Sequence, residues 1–376
     1  MMLRSQVLSQ DVSSALGLVV ANLGEISAAF GEGFAARVLV ELAERVERVT
    51  GLAREAVAIG PDGVYFPALP EQVASAMRAV ADPVCIGSTS VVMALALPWS
   101  GVRRSPLRIA SNGCITHDMA KVAALYDGIR EGRSCLVVQP ICNSPYSAVS
   151  SVGDILYWEC LSRVADASGR AISPAEFIPA LERCGLTRCF DAHIVSSTVD
   201  LLEASDAVSL GCNISAQSAF DDEWWDDVTA RLRSKPDLAA RLVIEITETS
   251  PVLDASEYVR FVTQMRSLGC RIALDDFGTG FHSIDLAQKC PVDIIKIDAG
   301  FLPRSGHTPA SFQLFKRLVS LAQSLTEIVV VEGVETETER RVATGCGPLW
   351  MQGYHLAKPS PAVKLLRDIP VQAVSQ

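Results

Sequence analysis

Beyond residue 134 the chain alternates short apolar runs with longer stretches of helical period. The runs are Cys135–Ile141, Ile155–Leu161, Val208–Ile214, Leu242–Ile246, Arg271–Leu274, Asp293–Ile297, Ile328–Val331 and Leu349–Tyr354. Each has strand length and ends in polar or glycine-containing sequence, whereas Pro174–Cys184, Ala192–Ala204, Ser256–Leu268 and Ser311–Ser324 follow the helical period. The second run follows the first too closely for a helix, which predicts an antiparallel pair; the remainder reads as strand then helix. Eight strands with outer helices in about 240 residues predict an α/β fold, a (β/α)8 TIM-like barrel with one antiparallel strand.

The first hundred residues have another rhythm. From Leu16 to about Thr50 the spacing of Phe34, Val38, Leu42, Arg45 and Val49 predicts helix. Val57-Ala58-Ile59 and Gly63-Val64-Tyr65-Phe66 flank a Pro-Asp-Gly turn and predict a hairpin. A second helix is expected over Pro70–Ala81 and an apolar strand over Thr89–Leu97. Residues 1–100 therefore read as a small α/β domain. Residues 101–114, which continue a stretch rich in Pro, Ser, Gly and Arg, read as a linker. A helix over Thr116–Glu131 then opens the barrel domain, 115–376.

Composition removes several function classes. No apolar run approaches the length of a membrane span, and the first ten residues lack the apolar stretch of a signal peptide. Net charge is −10 with no Lys/Arg-rich tract, so a nucleic-acid polymer is not an expected partner. Eleven cysteines without a Cys-x-x-Cys pair predict buried thiols in a reduced, cytoplasmic protein.

The candidate chemistry begins at Asp275-Asp276-Phe277-Gly278-Thr279-Gly280. Adjacent carboxylates repel, and burying either one needs a partner. Taken alone the pair fits an acidic surface turn as well as a cation site. The other strand ends decide between them. They carry Gln139; Glu159 and Arg163; Asn213; Glu245 and Glu248; Lys296 and Asp298; Glu332 and Glu335; and Gln352. One such group is ordinarily a helix cap or a solvated charge. Eight ends converging on the rim where barrels keep their chemistry read as a site. Carboxylates and an amide, without His or Cys, suit Mg2+ or Mn2+. Hard cations with a lysine and spare carboxylates equip a site for phosphoryl chemistry.

The ordered motifs Gln139-Pro140-Ile141, Glu159-Cys160-Leu161-Ser162-Arg163, Asn213-Ile214-Ser215 and Glu245-Ile246-Thr247-Glu248 continue with Asp275–Gly280, Lys296-Ile297-Asp298, Glu332-Gly333-Val334-Glu335 and Gln352-Gly353. Together they resemble the EAL domain, the cyclic di-GMP phosphodiesterase fold. The resemblance implies a phosphodiesterase that cuts cyclic di-GMP to linear pGpG with two ions, Mg2+ or Mn2+. It implies Glu159, Asn213, Glu245, Asp275 and Asp276 as metal ligands, with Asp275 shared. Lys296, near Glu332, would position and help deprotonate the attacking water, and Glu159 counts with these two as catalytic. Gln139, Leu161, Arg163, Asp298 and Gln352 match positions that contact the dinucleotide, and Glu248 and Glu335 match supports of two rim loops. A bacterial cytoplasmic homodimer is implied as well. The alternative left open is a receptor that binds cyclic di-GMP without cutting it and acts through a protein partner.

Three departures bear on that expectation: Cys160 stands for an alanine, His282 for a serine, and the segment Asn143–Asp154 is long. The N-terminal layout resembles a degenerate GGDEF domain, with Gly60-Pro61-Asp62-Gly63-Val64 at the family hairpin. Gly63 takes the place of the acid needed there, which implies a regulatory or dimerising module, open to a protein partner, without cyclase activity.

Overall fold

The computed structural model describes residues 15–67, 83–87, 89–96, 112–143, 155–220, 225–247, 252, 254–279, 284–290, 292–302, 308–347 and 349–362. The helix expected over Pro70–Ala81 lies outside them, as do Glu248, His282 and nearly all of Asn143–Asp154. The chain divides into two compact units. One comprises the described residues of Met1–Ser134 and Val164–Cys189, the other those of Cys135–Arg163 and Phe190–Gln376.

In the first unit, β1 (Ala15–Val20) leads into α1 (Leu23–Phe30) and α2 (Glu32–Thr50). Helix α2 buries Phe34, Val38 and Leu42, as their spacing predicts, and ends at Gly51 in the left-handed region. Val49, expected on the same face, is exposed. The hairpin is present: β2 (Ala58–Ile59) and β3 (Gly63–Pro67) pair antiparallel, in a sheet of order β2-β3-β1-β6.

Two expectations are corrected here. Leu16–Val20, read as the start of a helix, is a strand that pairs with β3 on one side and with β6 (Leu95–Ala96) on the other. A run this short fits either period, and cross-strand partners that are distant in sequence settle it. The single strand expected over Thr89–Leu97 is two: β4 (Val84–Ile86) pairs with β5 (Thr89–Val91), and β6 joins the other sheet. Helix α3 (Asn112–Arg130) starts inside the stretch expected as linker. It is tied to α4 (Pro174–Arg183) by a bidentate pair in which Arg183 Nε and Nη2 donate to the buried Asp118 carboxylate at 2.6 and 3.0 Å.

The barrel strands are β7 (Ser134–Cys142), β8 (Ile155–Ala165), β10 (Leu210–Ser215), β11 (Leu242–Thr247), β12 (Arg271–Phe277), β13 (Ile294–Ile297), β14 (Ile328–Val331) and β15 (Trp350–Met351), with β9 (Ala171–Ile172) appended to the end of β8. All eight predicted strands are present. Strands β8 and β10 to β15 run parallel in that order, and β7 closes the ring by pairing with β15 and β8. Because β7 is antiparallel to β15, it runs against the other seven.

Side chains alternate across each strand. Leu274, Ile295, Ile297, Val329 and Val331 face outward into a cluster with Phe315, Val319 and Ala322 of the helix Pro309–Leu325. Ile141, Tyr157, Val243, Ala273, Ile294 and Val330 form a second buried cluster, the apolar filling of the barrel. That filling is the floor of the site.

Candidate metal centre

One residue pair further along each strand from that floor, the side chains become polar. Tyr157 is followed by Glu159, Gly211 by Asn213, Val243 by Glu245, Ala273 by Asp275, Ile294 by Lys296 and Val330 by Glu332. Trp350, packed against the floor, is followed by Gln352. On the reversed strand β7 the order inverts, so that Gln139 precedes Ile141. The two-residue period of a strand thus turns eight polar groups inward above the apolar filling.

Lys296 is at the centre and has no exposed surface. Its Nζ lies 2.5 Å from Glu245 Oε2, 2.7 Å from Glu332 Oε1, 3.0 Å from Asp275 Oδ1 and 3.5 Å from Glu159 Oε2. These four contacts are ion pairs. Burial alone would lower the Lys296 pKa, but Asp275, Glu159, Glu245 and Glu332 outweigh it and hold the ammonium well above its ordinary value. Glu159 is fixed from the other side: Asn213 Nδ2 and Gln352 Nε2 each donate to it at 2.5 Å. Gln139 Nε2 donates to the Ala357 carbonyl at 2.9 Å.

One ammonium does not balance the surrounding carboxylates. Burial pushes Glu245 and Glu332 well above the usual range, with Lys296 pulling both back and Asp275 raising both further. Asp275 is raised by burial against the pull of Lys296. Asp276 is pushed to about 7 by burial, then by Asp275 and Asp298. The layer therefore holds protons or takes up cations.

Its geometry fits the second. Glu159, Glu245 and Asp275 offer oxygens within 4.8 Å of one another, and so do Asp275, Asp276 and Glu332, so that Asp275 belongs to both groups. Asn213 Oδ1 is buried without a hydrogen-bond partner. An all-oxygen set with spare lone pairs matches a hard divalent cation. Strand β12 is shaped for this, since a register shift lies between Leu274 and Phe277 and Asp276 takes φ +56°. The strand continues through both aspartates, where the sequence places a strand end. The bulge turns both carboxylates toward one region.

Other expected residues make contacts of their own. Arg163 Nη1 donates to the Ser162 carbonyl, and Leu161 is half-buried on the same strand. Asp298 accepts from Gly300 N at 2.8 Å and caps a short turn. The Glu335 side chain is exposed. The buried Glu339 instead holds that loop: its Oε2 accepts from the backbone N–H of Glu335 and Thr336 in a capping box. Thr336-x-x-Glu339 is a readable signal for this.

Cys160 points away from the cage, as its place next to an inward Glu159 requires. It is buried beside Thr198, and burial pushes its thiol to about 12, so it neither ligates nor reacts. Trp225 packs inward on Phe261 with its Nε1 donating to the Ser218 carbonyl, and Asp226 and Asp227 open the following helix.

Comparison with known proteins gives the family. The EAL domain matches residues 122–359. Escherichia coli PdeF, a cyclic di-GMP phosphodiesterase, is 27% identical over 255 residues, covering 67% of this chain and 33% of PdeF. PdeL of the same organism, also a cyclic di-GMP phosphodiesterase, is 30% identical over 211 residues, covering 54% of this chain and 57% of PdeL. The chain thus spans about a third to just over half of these relatives. The MucR phosphodiesterase in complex with c-di-GMP superposes at TM-score 0.55 with 26% identity, covering 65% of this chain and 98% of that one. The FimX EAL domain of Pseudomonas aeruginosa bound to c-di-GMP shares the fold, at TM-score 0.52 and 23% identity over 64% of this chain and 96% of that one. With the matched region spanning most of the chain and every barrel strand, this protein belongs to the EAL domain family.

Proposed function

We propose that this protein hydrolyses cyclic di-GMP to linear pGpG with Mg2+ or Mn2+. The observation that carries the reading is the buried layer in which two acidic groups share Asp275 around Lys296. Glu159, Asn213, Glu245, Asp275 and Asp276 would hold the cations, which when bound polarise the phosphate and make water nucleophilic near neutral pH. Lys296, ringed by four carboxylates, is proposed as a charged donor that aligns the water or a phosphate oxygen. The proton then passes to a carboxylate. Glu332 is proposed for that role, because it contacts Lys296 at 2.7 Å. Gln352 and Asn213 keep Glu159 in place. Arg163, Asp298, Leu161 and Gln139 are proposed for the dinucleotide.

We also propose that the N-terminal module is GGDEF-like and dimerising, without cyclase activity. A side chain at Gly63 would meet the Leu18 carbonyl oxygen at 2.2 Å, so no acid fits there.

Turnover of cyclic di-GMP with Mn2+, compared with Glu159→Ala and Lys296→Ala, tests the reading. It predicts pGpG formation that both variants lose. Tight binding without turnover by the unaltered protein would overturn the enzyme and leave a receptor.

A further inference from the structure

The floor of the cage holds a polar atom that the reaction as described does not use. Tyr157 is buried on β8, and its hydroxyl has no hydrogen-bond partner. A buried hydroxyl in that state is costly unless something occupies it.

Strand register shows where the ring goes. Gly211 on β10 lies level with Glu159 on β8, two residues beyond Tyr157. A Cβ on Gly211 would stand 2.5 Å from Tyr157 Cε2 and 2.9 Å from Cδ2, so the ring lies against Gly211. Glu245 on β11 lies level with Asn213, one layer above Gly211. The same Cβ would stand 2.3 Å from Glu245 Oε1, so this carboxylate reaches over Gly211 as well. The two meet over the only residue type that leaves room for both. Glu245 Oε2 faces Lys296, whereas Oε1 faces the floor and has no partner.

A ligating carboxylate keeps its angle through what its other oxygen is bonded to. Resting on the cation-site reading above, we infer that Tyr157 is a positioning residue for Glu245: its hydroxyl donates to Oε1, directly or through one water, when a cation takes Oε2. Gly211 is the notch that lets the two approach. The role follows from placement, since Tyr157 precedes Glu159 by two residues on the inward face and meets Glu245 at Gly211.

The test titrates Mn2+ alone into the full chain by calorimetry, for the unaltered protein, Tyr157→Phe and Glu245→Gln, and melts each form without metal. Tyr157→Phe keeps the ring and removes only the hydroxyl. The inference expects about tenfold weaker Mn2+ binding in Tyr157→Phe. Its metal-free Tm should be unchanged or higher, because an unpartnered buried hydroxyl has been removed. Equal Mn2+ affinity in Tyr157→Phe and the unaltered protein overturns the inference alone. A lower metal-free Tm in Tyr157→Phe also overturns it, by showing a packing role instead. Absence of Mn2+ binding by the unaltered protein, or undiminished binding by Glu245→Gln, overturns the cation-site reading and the inference with it.

Discussion

Asp275→Asn offers the sharpest test of the cage, because its effect on stability runs against the usual sign. Asp275 offers an oxygen within 4.8 Å of those from Glu159, Glu245, Asp276 and Glu332. At an effective dielectric of about 20, each like-charge pair at that distance repels by roughly 3.5 kcal/mol before proton uptake. The attraction forfeited is the one to Lys296 at 3.0 Å, roughly 5.5 kcal/mol on the same scale. Two of the four repulsions already exceed it. Protonation of the raised carboxyls relieves much of the strain beforehand, which leaves a net gain on the order of 2 kcal/mol for the metal-free variant. In a unit of this size that raises Tm by about 5 °C. Scanning calorimetry in chelator near pH 8, repeated with Mn2+, reads both sides of the exchange. Asp275→Asn should melt higher than the unaltered protein in chelator and lose most of the Mn2+-induced rise. A variant that melts lower in chelator and responds fully to Mn2+ would refute the reasoning, and the carboxylates would then be a salt-bridge network satisfied by Lys296.

Lys296→Met removes the only ammonium that contacts the cage in the described residues and should cost about 3–5 kcal/mol in metal-free denaturant unfolding at neutral pH, with part recovered on acidification; a neutral effect would contradict the ion pairs. Asp276 ionises near 7 when folded and near 3.8 otherwise, so the folded state holds a proton that the unfolded chain releases. Its contribution is complete below about pH 4 and lost as pH rises through about 7, worth about 2 kcal/mol after discounting for partial exposure. Denaturant titrations of metal-free protein across that window should show the fall, and Mn2+ should flatten it. Gly211→Ala puts a methyl 2.3 Å from Glu245 Oε1; it should weaken Mn2+ binding more than tenfold by calorimetry and destabilise by about 1–3 kcal/mol. Thr336→Ala breaks the capping box that holds the loop after Glu332 and should lower stability by about 1 kcal/mol, read from the urea midpoint.

The barrel strands and the residues of the cage were legible in the sequence because both are written locally. A strand's two faces alternate, so an apolar run that ends in a carboxylate two positions beyond an inward residue declares its face without reference to the rest of the chain. Glu159, Asn213, Glu245, Asp275, Lys296 and Glu332 were found in this way. Leu16–Val20 was not, because its period fits helix and strand alike until β3 and β6 flank it. Tyr157 was passed over as an apolar strand residue, since its importance depends on Gly211 and Glu245 on two other strands.

The sequence by itself determined which residues are inward and polar. Tertiary structure alone decided their levels, through the register of parallel strands and the reversal of β7, which brings Gln139 beside Gln352 from opposite chain directions. It also decided that Lys296 is enclosed by four carboxylates and held as an ammonium, and that Glu339, not Glu335, secures the seventh rim loop. The reason is one of range. Periodicity is set by neighbours along the chain, whereas electrostatic environment is set by neighbours in space, and closing the barrel brings together residues more than a hundred positions apart.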